Sequence, residues 1–266
     1  MRSAQTDVVL NDGAITTLEQ WGNGGKILLC IHGMTSSRKS WQRLGVHFGG
    51  RYRVIAYDQR GHGGSSGITG PMTLHQSLLD LFSVLQHIGE PVHALVGHSW
   101  GGAVALAGGR RFDVSRVVAL DPMIRQVDDA WYTEFLVELR EIFAFEGSAR
   151  AEEVRRHYAD WHELDREGKV YSVAQMSTAP ISGLQTENPP GSWDLRADLS
   201  DYPKPVLLLM AGQAESIVSA QDLAYVRDHV GGNARISVFE DQGHNLGRTD
   251  FPRVAREISA FLLPVA

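Results

Sequence analysis

The chain has 266 residues, 43% hydrophobic and 21% charged, with 25 Lys and Arg against 31 Asp and Glu for a net charge of −6. That size and balance suit one large α/β domain, or a core with a sizeable insertion, and argue against disorder and against nucleic acid as a partner. One cysteine, Cys30, excludes a disulfide framework; the first residues lack the apolar centre of a signal peptide and no apolar run reaches membrane-span length, so a cytoplasmic protein without a membrane partner is expected.

Residues 7–10 and 16–21 alternate around Asn11-Asp12-Gly13, which predicts a hairpin at a sheet edge. Residues 26–31 form an apolar strand that contains Cys30 as a small buried hydrophobe and runs into His32-Gly33-Met34. A helix over 40–48 and a strand over 52–57 follow, ending in the loop Asp58-Gln59-Arg60-Gly61-His62-Gly63-Gly64-Ser65. The loop is glycine-rich but lacks the spacing and lysine of a phosphate cradle, so it reads as structural, with His62 a hydrogen-bonding loop residue. Leu74, Leu78, Leu81, Leu85 and Ile88 recur at three and four, which predicts an amphipathic helix over 73–88. A strand begins at Val92, a helix covers Ala103 to Ala107 with Gly108-Gly109 as its expected end, and a strand over 116–120 closes on Asp121-Pro122.

From 122 to 203 the pattern changes to polar helices, such as 131–143 and 151–160, and to Pro- and Gly-bearing loops. This segment is expected to be a helical cap, leaving 1–121 and 204–266 as the core. It holds 16 acidic and 8 basic residues, a net −8 within a chain of −6. Such a face is ordinarily solvated, and at a site entrance it would disfavour anionic substrates. Strands resume at 205–210 and 235–239, the latter running into Gly243-His244, and a helix over 252–262 ends the pattern.

The stretch Gly97-His98-Ser99-Trp100-Gly101 carries the chemistry. A strand, a forced tight turn and a helix expose one hydroxyl at the C-terminal edge of the sheet, beside helix N–H groups suited to an oxygen that becomes negative. Ser99, an acid near 215 and His244 follow in the order nucleophile, acid, base, each just past a predicted strand. Of eleven histidines only His157, His162 and Glu163 hint at a metal cluster, and their spacing does not share a helical face, so no metal is expected.

His32-Gly33, the 58–65 loop, Gly97 to Gly102 and Gly243-His244 together resemble the α/β-hydrolase superfamily, in its serine esterase-like branch, over nearly the whole chain. The resemblance implies a mostly parallel twisted sheet with helices on both faces, a cap inserted after the sixth strand, and no cofactor. It implies Ser99 as nucleophile, His244 as base and the N–H groups of Met34 and Trp100 as an oxyanion hole. Relatives commonly carry Asp three residues after the glycine ending the next-to-last strand; here Gly212 is followed at that distance by Glu215. Glu215 is therefore the expected acid, and Asp121 its rival.

Serine at the elbow argues against the dehalogenase and epoxide-hydrolase branches, which carry Asp there. A small to medium apolar carboxylic ester is the first choice of substrate, for a monomer or homodimer. A proline-iminopeptidase-like aminopeptidase, a C–C hydrolase, a lactonase, a perhydrolase and a ligand-binding receptor on the same scaffold stay open.

Overall fold

Apolar runs without polar alternation become strands buried on both faces, and the computed structural model, which describes residues 3–68, 70–126, 137, 139–176, 179–212 and 216–263, sets them side by side. Strands β1 (Ser3–Val9), β2 (Ile15–Trp21), β3 (Ile27–Ile31), β4 (Arg53–Tyr57), β5 (Val92–His98), β6 (Val117–Leu120), β7 (Val206–Ala211) and β8 (Ala234–Phe239) form one eight-stranded sheet, in the order β1-β2-β4-β3-β5-β6-β7-β8. β1 and β2 make the expected edge hairpin, and β2 pairs antiparallel with β4. Every pairing from β4 across to β8 is parallel. The C-terminal ends of β3, β5, β6, β7 and β8 therefore share one edge of the sheet.

The described helices are α1 (Gln42–Phe48), α2 (Leu74–Ile88), α3 (Trp100–Arg111), α4 (Gly147–His157), α5 (Glu163–Gln175), α6 (Ala179–Glu187), α7 (Ala220–His229), α8 (Leu246–Thr249) and α9 (Phe251–Leu262). Period-two alternation of the strands splits the core into two layers. Leu29, Ile31, Leu95 and Ala119 pack with Leu78, Leu81 and Val84 of α2, with α3, and with Leu223 and Val226 of α7. Leu28, Cys30, Val96 and Leu209 pack on the other face with Leu44 and Phe48 of α1 and with Val254, Ile258 and Leu262 of α9. Burial among these side chains pushes the Cys30 thiol far up, as expected for an inert small hydrophobe. α2 starts where Thr73 Oγ1 accepts from Gln76 N–H at 3.1 Å and stops at Gly89, whose φ of 63° only glycine adopts freely.

One boundary differs from expectation. α3 runs through Gly108-Gly109 to Arg111 rather than ending there. The pair serves close approach: a Cβ on Gly108 would lie 2.6 Å from Leu81 Cδ2, and one on Gly109 would lie 2.3 Å from Val117 Cγ2 and 2.5 Å from the Tyr202 hydroxyl. Sequence alone weighs glycine as a helix breaker, whereas packing of α3 on α2 and β6 selects it here.

The segment between β6 and β7 leaves and returns as paired strands of chain. Arg125 bridges Asp194, and Leu195 N–H donates to Ile124 O at 2.7 Å. Asp222 on α7 anchors this neck, accepting from Arg125 Nε at 2.8 Å and Arg196 Nη1 at 2.7 Å. Ile142, Val154, Tyr158 and Val173 give the segment a small core of its own. The helix expected over 151–160 is α4, lying slightly earlier; α5 and α6 occupy stretches expected as loops, and residues 131–136 lie outside the described part. The polar composition of α5 and α6 weakens their periodic signal, and docking on the core supplies what propensity does not.

Ordinarily Gly→Ala inside a helix stabilises by about 1 kcal/mol. Gly109→Ala is expected to reverse that sign and destabilise by about 1–3 kcal/mol through overpacking against Val117 and Tyr202, measured by urea denaturation.

Candidate active site

The turn between β5 and α3 is tight because three backbones meet without Cβ atoms between them. A Cβ on Gly97 would lie 2.1 Å from Gly101 O, and one on Gly101 would lie 2.2 Å from Ile31 O and 2.4 Å from His32 O. Gly33 lies against Ser99, where a Cβ would come within 2.9 Å of the serine's own Cβ. Ser99 itself sits at φ 56°, ψ −122°, a strained state for a residue other than glycine. Its carbonyl accepts from Gly102 N–H at 2.8 Å and Met123 N–H at 3.1 Å, and its own N–H donates to Leu120 O at 3.0 Å. Pre-existing bonds to α3, β6 and the 121–123 turn hold the strain, and the hydroxyl stands at the shared strand edge.

At the end of β6, Asp121 is fully buried and also has positive φ, 36°. Four donors converge on its two oxygens. Oδ1 accepts from Ala211 N–H at 3.1 Å and Ser216 Oγ at 2.7 Å; Oδ2 accepts from Ile217 N–H at 3.2 Å and His244 Nδ1 at 2.7 Å. A carboxylate so placed accepts only, so the imidazole carries its proton on Nδ1 and Nε2 is left as the basic nitrogen. The sequence-expected acid Glu215 lies outside the described residues; Asp121 is a carboxylate that His244 meets.

His98, next to Ser99 in the chain, lies against the His244 ring with centroids 4.7 Å apart, and its Nε2–H donates to the His244 carbonyl at 3.0 Å. Burial, aided by the neighbouring His244 and Arg248, pushes His98 well below the usual imidazole range, so it stays a neutral strut. The structure thus brings His98-Ser99, Asp121 and His244 to one place. Met34 follows Gly33 in the loop after β3, Trp100 opens α3, both are buried, and the indole of Trp100 meets Trp193 edge to face at 5.9 Å. Among the described residues no group of three or more His, Cys, Asp or Glu is placed to hold a metal; His162 is the N-cap of α5, its Nδ1 accepting from Leu164 N–H at 3.2 Å.

Beneath the site, the 58–65 loop folds around the buried Asp58 carboxylate. Asp58 accepts from Arg38 N–H and Gly64 N–H, both at 2.7 Å, and pairs with the Arg38 guanidinium. Gly63 needs φ 49° and leaves no room for a Cβ, which would lie 2.4 Å from that carboxylate. His62 donates from Nδ1 to Arg60 O at 2.8 Å, and its ring meets that of His32 at 5.1 Å. His32 donates from Nδ1 to Gly33 O at 2.8 Å and accepts at Nε2 from Gln59 N–H at 2.9 Å, which fixes the turn carrying Met34. The ion network of Glu19, Arg38, Lys39 and Asp58 gave no sequence signal, because the adjacent Arg38 and Lys39 meet carboxylates from two distant stretches of the chain.

The fold is that of an α/β hydrolase. Residues 28–257 match the profile described as the alpha/beta hydrolase family, and the chain belongs to that family. It is a hydrolase. It is 28% identical over 211 residues to a magnesium-chelatase 30 kDa subunit from Rhodobacter capsulatus, covering 74% of this chain and 73% of that protein. It is 26% identical to a non-heme haloperoxidase from Rhodococcus erythropolis, covering 96% and 98% respectively. In three dimensions it is similar to carboxylesterase CesB from Bacillus subtilis, with a TM-score of 0.78 and 20% identity over 100% of this chain and 93% of that one.

Burial holds His32 down to about 4 and His62 down to about 3, against about 6.5 for a solvated imidazole. Between about pH 4 and 6.5 the unfolded chain therefore binds protons that these rings exclude in the fold, and stability rises with pH across that window by up to about 1.4 kcal/mol per unit per ring. The expected outcome is a melting temperature that falls from pH 7 to pH 5, with a shallower slope in His62→Gln.

Proposed function

We propose that the chain is a serine hydrolase that cleaves small to medium, apolar carboxylic esters through an acyl-enzyme, with Ser99 as nucleophile, His244 as base and Asp121 as the orienting acid. The observation that carries the reading is the 2.7 Å bond from His244 Nδ1–H to a buried carboxylate at the strand edge that bears Ser99. Asp121 is preferred to Glu215 on that bond. In the first step Ser99 Oγ attacks the carbonyl carbon while His244 Nε2 takes the hydroxyl proton, and Asp121 stabilises the imidazolium. The carbonyl oxygen becomes an oxyanion, which the Met34 and Trp100 N–H groups receive at the N-terminus of α3. Collapse breaks the bond to the alcohol, which leaves with the proton from His244. Water then attacks the acyl-enzyme by the same relay.

The segment 122–203 acts as a cap over this edge, with 1–121 and 204–266 as the core. Support for an apolar acyl group comes from Met34, Trp100 and Ile124, buried in one cluster with Met123 and Trp193 packed on it. The full-length likeness to a non-heme haloperoxidase favours one second reading on the same residues, in which hydrogen peroxide rather than water takes the acyl group and a peracid is released.

Hydrolysis of p-nitrophenyl butyrate is the test. Ser99→Ala is expected to abolish turnover, and Asp121→Asn to lower kcat by roughly 10³–10⁴-fold through loss of the correct tautomer, while Glu215→Gln keeps most of the activity. Full turnover by Ser99→Ala overturns the reading; full activity in Asp121→Asn with loss in Glu215→Gln moves the acid to Glu215. Peracid formation from acetate and peroxide, lost in Ser99→Ala, would establish the second activity.

A further inference from the structure

The residue that follows Met34 is held in a backbone state that its side chain disfavours. Thr35 sits at φ 58° and is almost fully buried. For a β-branched residue the left-handed region is strained and persists only where the surroundings enforce it. The enforcing contact comes from the inserted segment. Lys169, on α5, donates from Nζ to Thr35 Oγ1 at 3.0 Å and to the Thr35 carbonyl at 3.4 Å.

The neighbours of Lys169 fix how α5 lies on this loop. Gly168 rests against the backbone of Lys39, whose carbonyl oxygen a Cβ would approach to 2.9 Å. Ser172 Oγ and Ser37 Oγ share a hydrogen bond of 2.8 Å, and Arg38 Nη1 donates to the Tyr171 hydroxyl at 3.0 Å. The Lys169 ammonium also lies 5.4 Å from the centre of the Tyr158 ring, a cation–π contact that pins its other side. One helix therefore grips the loop from Thr35 to Lys39, and its cation points at the strained residue.

We propose that Lys169 is a positioning residue: by holding Thr35 left-handed it sets the direction of the Met34 N–H and hence the strength of the oxyanion hole. The Met34 N–H lies in the Gly33–Met34 peptide plane, next to the Met34–Thr35 plane, so relaxation at Thr35 turns the second plane and reaches the N–H through the backbone torsions of Met34. This inference rests on the reading above, in which Met34 N–H receives the oxyanion. Because the oxyanion exists only along the reaction path, loss of its alignment lowers kcat and leaves KM in place. The inserted segment is then part of the catalytic framework as well as a cover.

The test combines kcat and KM on p-nitrophenyl butyrate with the rate of Ser99 phosphonylation by a fluorophosphonate, whose phosphoryl oxygen uses the same N–H donors. Removing one such donor outright costs roughly 10²–10³-fold, so a misdirected one in Lys169→Met is expected to lower both kcat and phosphonylation about 10- to 100-fold, with KM within about twofold. Lys169→Arg is expected to restore most of that loss, since it keeps a cationic donor. In the Thr35→Gly background, Lys169→Met is expected to cost less than about threefold, because glycine takes positive φ without enforcement. Should Lys169→Met fold poorly by thermal melting, Lys169→Gln carries the same comparison with a shorter, neutral side chain. Unchanged kcat, a loss confined to KM, or an undiminished loss in the Thr35→Gly background would each overturn the proposal. Full turnover by Ser99→Ala would instead overturn the function on which it rests, whatever Lys169 does.

Discussion

The arrangement depends on one buried carboxylate. Asp121 takes hydrogen bonds from the end of β7, from the loop after it and from the ring of His244, while its own N–H donates to Leu209 O at 2.7 Å. A buried carboxylate that lost any of these donors would keep its desolvation penalty without compensation, so the loops that supply them are held together by the cost of letting go. The positive φ of Asp121 is the local strain that this convergence overcomes. A single residue thus ties β6, β7 and the turn after β8 into one edge, bringing together side chains more than a hundred residues apart.

On the other side of Ser99 the organising force is steric rather than electrostatic. Gly97, Gly101 and Gly33 let β3, β5 and α3 approach until backbone atoms touch where side chains would normally stand. Close approach drives Ser99 out of ordinary backbone space and brings the loop after β3 beside it. His32, kept neutral by burial, then locks that loop to Gln59. Neutral, hydrogen-bonded histidines under the site act as rigid spacers whose one vulnerability is acid.

The inserted segment is joined to the core by apolar side chains, with Ile124, Leu184, Leu195 and Leu199 buried in the main cluster, and by polar contacts. Its neck is held through Asp222, and α5 is laid on the loop after β3 through Ser172, Tyr171 and Lys169 and on α1 through the Arg43–Asp165 pair at 2.9 Å. Such contacts are directional, so they fix register where a greasy surface would allow sliding. Buried pairs of this kind contribute modestly to net stability but strongly to geometry, since breaking one strands its partner.

The sequence by itself determined the sheet, the hairpin edge, α2 and α9, the strand–turn–helix around Ser99 and the place of His244 after the last strand. All of these are written in local periodicity, in glycine spacing or in chain order, which neighbouring residues enforce directly. Only the tertiary structure decided that the Asp121 carboxylate meets His244. That choice depends on where a turn after β6 and a turn after β8 point in space, and no spacing along the chain encodes the 2.7 Å between Asp121 and the ring. Gly108-Gly109 read as a helix end for the same reason: its meaning lies in Leu81, Val117 and Tyr202, which are distant in sequence. The grip of Lys169 on Thr35 spans 134 residues and leaves no pattern in either segment, because a contact made by folding is visible only once the two surfaces are brought face to face.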